Sequence, residues 1–301
     1  MLTSAVHFRP VPTNASGGQG GAAPCVLGEW RLIRPVAHGT WTTVFQAAAA
    51  SGDLSRPPRY AIKTRRADAV DCDIARDHLL HEAEVGRTVI HPHVVSILAW
   101  KLTGNQPYLV MPWLEGMSLQ KLLSRLGTIP PADAIWIVRQ VAEGLTAVHT
   151  AGWLHADLKP SNIMINPEGH VTIIDFGFAR RITDSISRPR EVVGTLDYMA
   201  PEWFFGNATL DARADLYSLG VIFFEILAGR RPYCIRSLRE AARVHRQRCI
   251  PDVRTFNPSI SHDVSRLIRQ MISPHPERRP SSAKGVAETL VALEIEHFTL
   301  R

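Results

Sequence analysis

The apolar positions of this chain follow strand spacing over one stretch and helical spacing over another. Val94 to Trp100 and Tyr108 to Met111 are short runs rich in β-branched and aromatic residues, and they predict two strands. Pro131 to Thr150 repeats instead at helical spacing. Ile135, Val138, Val141, Ala142, Leu145 and Val148 fall on one side, and Pro131 sits in the first turn, where its missing N–H costs nothing. Strand spacing then returns: Ile163-Met164-Ile165 and Val171-Thr172-Ile173-Ile174 flank the turn Asn166-Pro167-Glu168-Gly169 and predict a hairpin. Beyond it, Asp211 to Ala228 predicts an apolar central helix, and 236–247, 262–272 and 281–295 have amphipathic helical patterns. Residues 1–27 hold Pro10, Pro12, Pro24 and the run Gly17-Gly18-Gln19-Gly20-Gly21 without periodicity, which predicts a flexible leader.

Composition narrows the class. The 301 residues suffice for one large domain or two moderate lobes with a true core, and 45% hydrophobic with 21% charged is ordinary for a globular chain. The net charge of +6 comes mostly from Arg, but no long basic run or aromatic-basic interleaving accompanies it, so no nucleic-acid partner is expected. Cys25, Cys72, Cys234 and Cys249 are scattered, without a Cys-x-x-Cys pair. That argues against a zinc site or a disulfide framework and for free thiols in a reducing, cytoplasmic setting. Leu219 to Ala228, the most apolar segment, is too short for a bilayer, which needs about 20 residues, so no membrane association is expected.

The chemistry concentrates in His155-Ala156-Asp157-Leu158-Lys159-Pro160-Ser161-Asn162. One carboxylate, one ammonium and one amide lie within eight residues, and Pro160 keeps them off a continuous helix. The segment runs into the first hairpin strand, and the second strand ends at Asp175-Phe176-Gly177. The hairpin therefore brings Asp157, Asn162 and Asp175 toward one point.

These residues resemble the protein kinase family, whose serine/threonine branch carries a catalytic loop H-R-D-x-K-x-x-N followed by D-F-G. The resemblance covers about residues 28–295 and implies an α+β, bilobal kinase fold. A small β-rich N-lobe with one helix spans about 28–111, a hinge 112–116, a larger mainly α-helical C-lobe about 117–295, and a tail 296–301. Val36 to Phe45 aligns with the loop that covers the ATP phosphates, though only Gly39 of its three glycines remains; Ala37 and Thr42 replace the others. Thr42 is the more serious change, since it narrows the phosphate approach and stiffens the loop. Val36 and Val44 would flank the adenine, Trp41 would mark the loop tip, and 47–59 would form an enlarged hairpin connection. Tyr60-Ala61-Ile62-Lys63 matches the family's V-A-I-K strand, so Ala61 would line the pocket and Lys63 would reach the α- and β-phosphates. The next helix, about Ile74 to Thr88, offers Glu82 and Glu84 as the partner of Lys63; Glu82 fits the spacing to His91-Pro92. Gly86, one turn later, replaces a larger apolar residue that would pack on Phe176, and it predicts a loosened contact there. Met111, Pro112, Leu114 and Met164 complete the nucleotide pocket by resemblance.

The activity implied is transfer of the ATP γ-phosphoryl to a Ser or Thr hydroxyl of a protein. Asp157 would accept the hydroxyl proton, Lys159 would offset charge on the moving group, and Thr195 would bond both. Asn162 and Asp175 would hold Mg²⁺ (or Mn²⁺), a hard cation suited to oxygen ligands. Asp215 would anchor the catalytic loop, and Arg279 would pair with Glu202 of Ala200-Pro201-Glu202. Ala156 stands where the family has the arginine that binds a phosphorylated activation loop. Activity independent of phosphates on Thr183, Ser185 and Ser187 is therefore expected. The alternative is a pseudokinase, a nucleotide-binding or scaffold module, favoured by the broken glycine loop, Gly86 and Ala156. The complete set Lys63, Glu82, Asp157, Lys159, Asn162 and Asp175 favours an enzyme. The substrate protein and the oligomeric state stay open.

Overall fold

The computed structural model describes residues 25–53, 55–66, 68, 72–183, 196–204, 210–235, 237, 240–241 and 250–299. Thr195, Ser185, Ser187, most of the leader and most of the 236–247 helix lie outside the described residues.

The chain folds as a β-rich lobe followed by a helical one. A six-stranded antiparallel sheet has the order β1-β2-β3-β4-β6-β5, with β1 Cys25–Leu27, β2 Trp30–His38, β3 Thr42–Ala49, β4 Tyr60–Arg65, β5 Ala99–Lys101 and β6 Tyr108–Pro112. Helix α1 (Cys72–Thr88) packs across it, with Leu79 and Ala83 buried against Leu109 of β6. On the sheet, Leu27, Leu32, Ala47, Ile62, Tyr108 and Val110 form a second apolar cluster.

The strand expected over Val94 to Trp100 does not form as one piece. Only its end joins the sheet, as β5, while Val94 pairs in parallel with Ile173 of the other lobe. Val95 N–H donates to the Ile173 carbonyl at 2.9 Å, and Ile173 N–H to the His93 carbonyl at 2.9 Å. The run is split because its backbone groups find partners on two lobes, and that split stitches the lobes together.

The helical lobe is built on α3 (Pro131–Thr150) and α4 (Arg213–Ala228), both almost wholly buried along their apolar faces. Helix α4 starts at Arg213 rather than Asp211 because the Asp211 carboxylate accepts the Arg213 N–H at 2.8 Å, a turn that competes with helix. α2 (Leu119–Leu126), α5 (His262–Met271) and α6 (Ala283–Thr299) complete the set, and α6 runs past the expected end at 295. The expected hairpin is present: β9 (Ile163–Ile165) pairs antiparallel with β10 (Val171–Ile173), and β7 (Met117–Ser118) adds to the β9 side. Strands β8 (Trp153–Leu154) and β11 (Arg180–Arg181) pair separately. Gly116 closes the link between lobes. Its φ is +103°, and a Cβ there would lie 2.0 Å from the Ile165 carbonyl oxygen, so only glycine lets the chain approach β9.

Candidate active site

Three elements deliver charge to one point between the lobes. Lys63 leaves β4, whose neighbours Val44 on β3 and Leu109 on β6 hold it in register. Its ammonium donates to Glu82 of α1 and, at 2.9 Å, to Asp175 Oδ1 after β10. Lys63 and Glu82 are both buried, whereas the Asp175 side chain keeps 40% of its surface open. Glu84, the competing choice on α1, is half-buried and makes no such bond through its side chain among the described contacts.

The charges settle one another. Burial alone would drive Lys63 toward its neutral form, but Asp175 and Glu82 overcome it and hold the ammonium above its ordinary range. Asp175 is likewise opposed by burial, yet the Lys63 charge and its hydrogen bonds keep it well below the usual carboxylate range. Glu82 goes the other way: burial, reinforced by the Asp175 charge, pushes it up against the pull of Lys63.

Residues 157–162 form a second group. Asp157 Oδ2 accepts from Lys159 Nζ at 2.7 Å and from Asn162 Nδ2 at 3.2 Å; Asn162 Nδ2 also donates to the Asp157 carbonyl at 2.9 Å. Burial pushes the Asp157 carboxyl above its ordinary value, with the Lys159 charge opposing. The two groups are linked through backbone, since Ile174 N–H donates to the Asn162 carbonyl at 2.9 Å, one residue before Asp175. With its amide N–H groups committed to Asp157, Asn162 would meet a metal through Oδ1, which accepts from Ser161 Oγ at 3.3 Å and keeps a second lone pair, and Asp175 would supply a charged oxygen. That hard-oxygen pair fits Mg²⁺, which takes one or two protein oxygens and completes its shell with phosphate and water.

Two backbone features hold the loop. Ala156 and Asp175 have φ of +64° and +68°, the only positive values among described non-glycine residues. Asp215, buried at the start of α4, fixes the first of these turns by accepting N–H bonds from His155 and Ala156, both at 2.9 Å. His149 of α3 donates to the same carboxylate at 2.8 Å, so its role is structural. Burial opposes the charge on Asp215, but these donors keep its carboxyl below the ordinary range. The Arg279–Glu202 pair is formed as a buried bidentate bridge of 2.6 and 2.8 Å.

Four of the apolar positions belong to the core cluster that runs through both lobes. Ala61 and Met111 are cross-strand partners, both buried, and Val44 and Leu114 pack on the same cluster. Val36 is the extra residue where the β2–β3 register shifts between Pro35 and Ala37. Pro112 pairs with Tyr60, and Met164 stands half-buried on β9 between Thr172 and Ser118. Gly39 N–H donates to the Thr42 carbonyl at 2.8 Å, closing a tight turn, and the Thr42 side chain is buried.

Some positioning residues carried no recognisable sequence signal. Gln140 of α3 is buried, donates to the Gly169 carbonyl at 3.0 Å and accepts the Val171 N–H at 3.0 Å, clamping the hairpin that carries Asn162 and Asp175. His93 Nδ1 donates to the Val171 carbonyl at 2.8 Å.

Residues 30–291 match the family model described as a protein kinase domain. The chain belongs to the protein kinase family. It is 28% identical over 262 residues to the serine/threonine-protein kinase PrkC of Bacillus subtilis, covering 87% of this chain and 40% of that one. It is 32% identical to PknB of Mycobacterium leprae over 79% of this chain and 37% of that one. Its identity to the kinase pkn2 of Myxococcus xanthus is 32%, over 88% of this chain and 32% of that protein. The chain thus spans about 40% or less of the length of these kinase relatives.

Proposed function

We propose that this kinase-family chain is an active enzyme that moves the γ-phosphoryl of ATP to a Ser or Thr hydroxyl of a protein, without needing a phosphate on its activation loop. The observation that carries the reading is the Lys63 ammonium held between Glu82 and Asp175, beside a complete Asp157–Lys159–Asn162 group. Burying an ammonium with two carboxylates from separate elements is costly in desolvation, which favours a chemical use for the trio. Asp157, whose carboxyl is pushed up by burial, would receive the hydroxyl proton. Lys159, 2.7 Å from it, would offset charge on the moving phosphoryl group. Bound Mg²⁺ would supply neutralisation of phosphate charge, held by Asn162 and Asp175. The acceptor class rests on Lys159 and on relatives named as serine/threonine kinases. Independence from loop phosphorylation rests on Ala156, which offers a loop phosphate no charge partner. The cytoplasm is proposed as the compartment from the scattered cysteines; among the described residues no helix is long and apolar enough to cross a membrane.

The test is labelled-phosphate transfer from ATP with Mg²⁺ or Mn²⁺, onto the chain itself and onto a basic protein, with Asp157→Asn as control. Transfer lost in the variant supports the enzyme. No transfer, with ATP still raising the melting temperature, replaces it by a nucleotide-binding pseudokinase.

A further inference from the structure

The turn at residues 38–42 has lost two of the three glycines that would let it settle on phosphate, yet it is held down. Trp41 at its tip stacks on His78 of α1, with ring centroids 4.6 Å apart and planes 19° from parallel. His78 in turn meets Phe178 edge-on at 4.5 Å, and Trp41 reaches Phe178 at 6.1 Å. Three separate elements therefore share one aromatic stack: the phosphate-loop turn, the helix carrying Glu82, and the segment just past Asp175. His78 precedes Glu82 by four residues and so lies on the same face of α1. Phe178 follows Asp175 by three.

The stack is built in, not incidental. Gly177 is packed so closely under His78 that a Cβ would fall 2.6 Å from its Nδ1, and His81 Nδ1 lies 3.3 Å from the Gly177 carbonyl oxygen. The turn is braced from its other side. Arg66 N–H donates to the Trp41 carbonyl at 2.9 Å, and Arg66 Nη1 to the Gly39 carbonyl at 3.1 Å. Burial, with the nearby Lys63 charge, holds the His78 imidazole toward its neutral form, in keeping with an apolar packing role.

We propose that Trp41, His78 and Phe178 form a positioning clamp that locks the phosphate-loop turn, α1 and the Asp175 segment together, so that Glu82 and Asp175 both meet Lys63. This inference rests on the active-kinase reading for its effect on rate, but the clamp itself is a property of the fold. None of the three rings bonds to Asp157, Lys159 or Asn162 among the described contacts; they act through Glu82 and Asp175.

The experiment uses the full chain with Trp41→Ala, Trp41→Phe, His78→Ala and the double variant Trp41→Ala/His78→Ala. Hydrogen exchange of α1 is read beside kcat and KM for ATP. Aromatic pairs of this kind carry enough energy for a rate change of about tenfold. The expected result is a kcat about tenfold lower in Trp41→Ala, faster exchange over residues 78–86, and recovery of both in Trp41→Phe. The double variant should be little worse than either single one, because each already breaks the stack. Unchanged kinetics with a lower melting temperature would overturn the clamp in favour of plain packing. A rise in kcat in Trp41→Ala would overturn it too, marking the stack as a brake. If the unaltered chain transfers no phosphate, the proposed function fails and exchange alone decides. Faster α1 exchange in Trp41→Ala then upholds the clamp, and unchanged exchange overturns it.

Discussion

Ile97 fills the space that a side chain on Gly86 would need: a Cβ at residue 86 would sit 2.3 Å from Ile97 Cγ1 and 2.6 Å from Ile97 Cβ. The loosened contact expected from Gly86 is therefore not what the structure shows. Phe176 is buried in the main core, its ring tilted against His155 at 4.8 Å, and the space beside Gly86 is filled by Ile97 from the loop before β5. Gly86→Ala should lower stability by about 2 kcal/mol, the overpacking penalty exceeding a helix gain of about 1 kcal/mol. Ile97→Ala, costly on its own, should soften that loss in the double variant, with a coupling of about 1 kcal/mol read from denaturant midpoints. A Gly86→Ala variant more stable than the parent would contradict the packing.

The Arg279–Glu202 bridge makes a second stability prediction. Arg279 also donates to the Ser273 and Arg213 carbonyls, at 2.8 and 2.9 Å, so one guanidinium ties the segment after residue 200 to the start of α4. Removing it alone strands a buried carboxylate. Arg279→Ala should cost about 3–5 kcal/mol, while replacing both partners by apolar residues should cost clearly less. Equal losses in the single and double variants, measured by thermal unfolding, would show that the bridge is not what holds Glu202.

The fold is legible in the sequence because its strongest signals are local. The β9–β10 hairpin, α3 and the Asp157–Asn162 segment each carry their pattern within about twenty residues. The expected convergence of Asp157, Asn162 and Asp175 follows from the hairpin alone. What stayed hidden depends on distant partners. The fate of 94–97 is decided by Ile173, far along the chain, and no local pattern reveals it. Gly86 reads as a defect until Ile97 is seen beside it. Gln140 looks like any polar residue on a helix, yet both ends of its amide hold the hairpin. The aromatic stack joins residues 41, 78 and 178, which share no spacing rule.

Ala156 holds a left-handed backbone, φ +64°, that an alanine adopts at a cost of about 1 kcal/mol. Asp215 enforces it by capturing the Ala156 N–H. Ala156→Gly should therefore raise stability by up to about 1 kcal/mol, which in a chain of this size is a melting shift of a few degrees at most. Asp215→Asn should do the reverse, losing about 2–3 kcal/mol as charged acceptors become neutral. The folded-state value of Asp215 is depressed, so its contribution is present above the ordinary aspartate range and fades as pH falls through the depressed value. The stability gap between parent and Asp215→Asn should accordingly shrink in strong acid. A gap constant with pH would separate the carboxylate charge from the loop's stability.

Asp157 carries the opposite sign. Burial raises its carboxyl above the ordinary aspartate value while the Lys159 charge pulls it back. A proton acceptor must be ionised, so the acid limb of kcat/KM should lie at higher pH than a solvent-exposed aspartate would give. Lys159→Ala removes the opposing charge and should move that limb further up in pH, in addition to lowering kcat. Asp157→Asn should cost at least about a hundredfold in kcat. Its effect on stability should run the other way. The buried charged form is disfavoured in the fold, so the penalty is present above the raised value and absent below the ordinary aspartate range, where folded and unfolded chains are both protonated. Asp157→Asn should thus melt above the parent near neutral pH and level with it in acid. An acid limb that stays in place in Lys159→Ala would mean that a group other than Asp157 sets the profile.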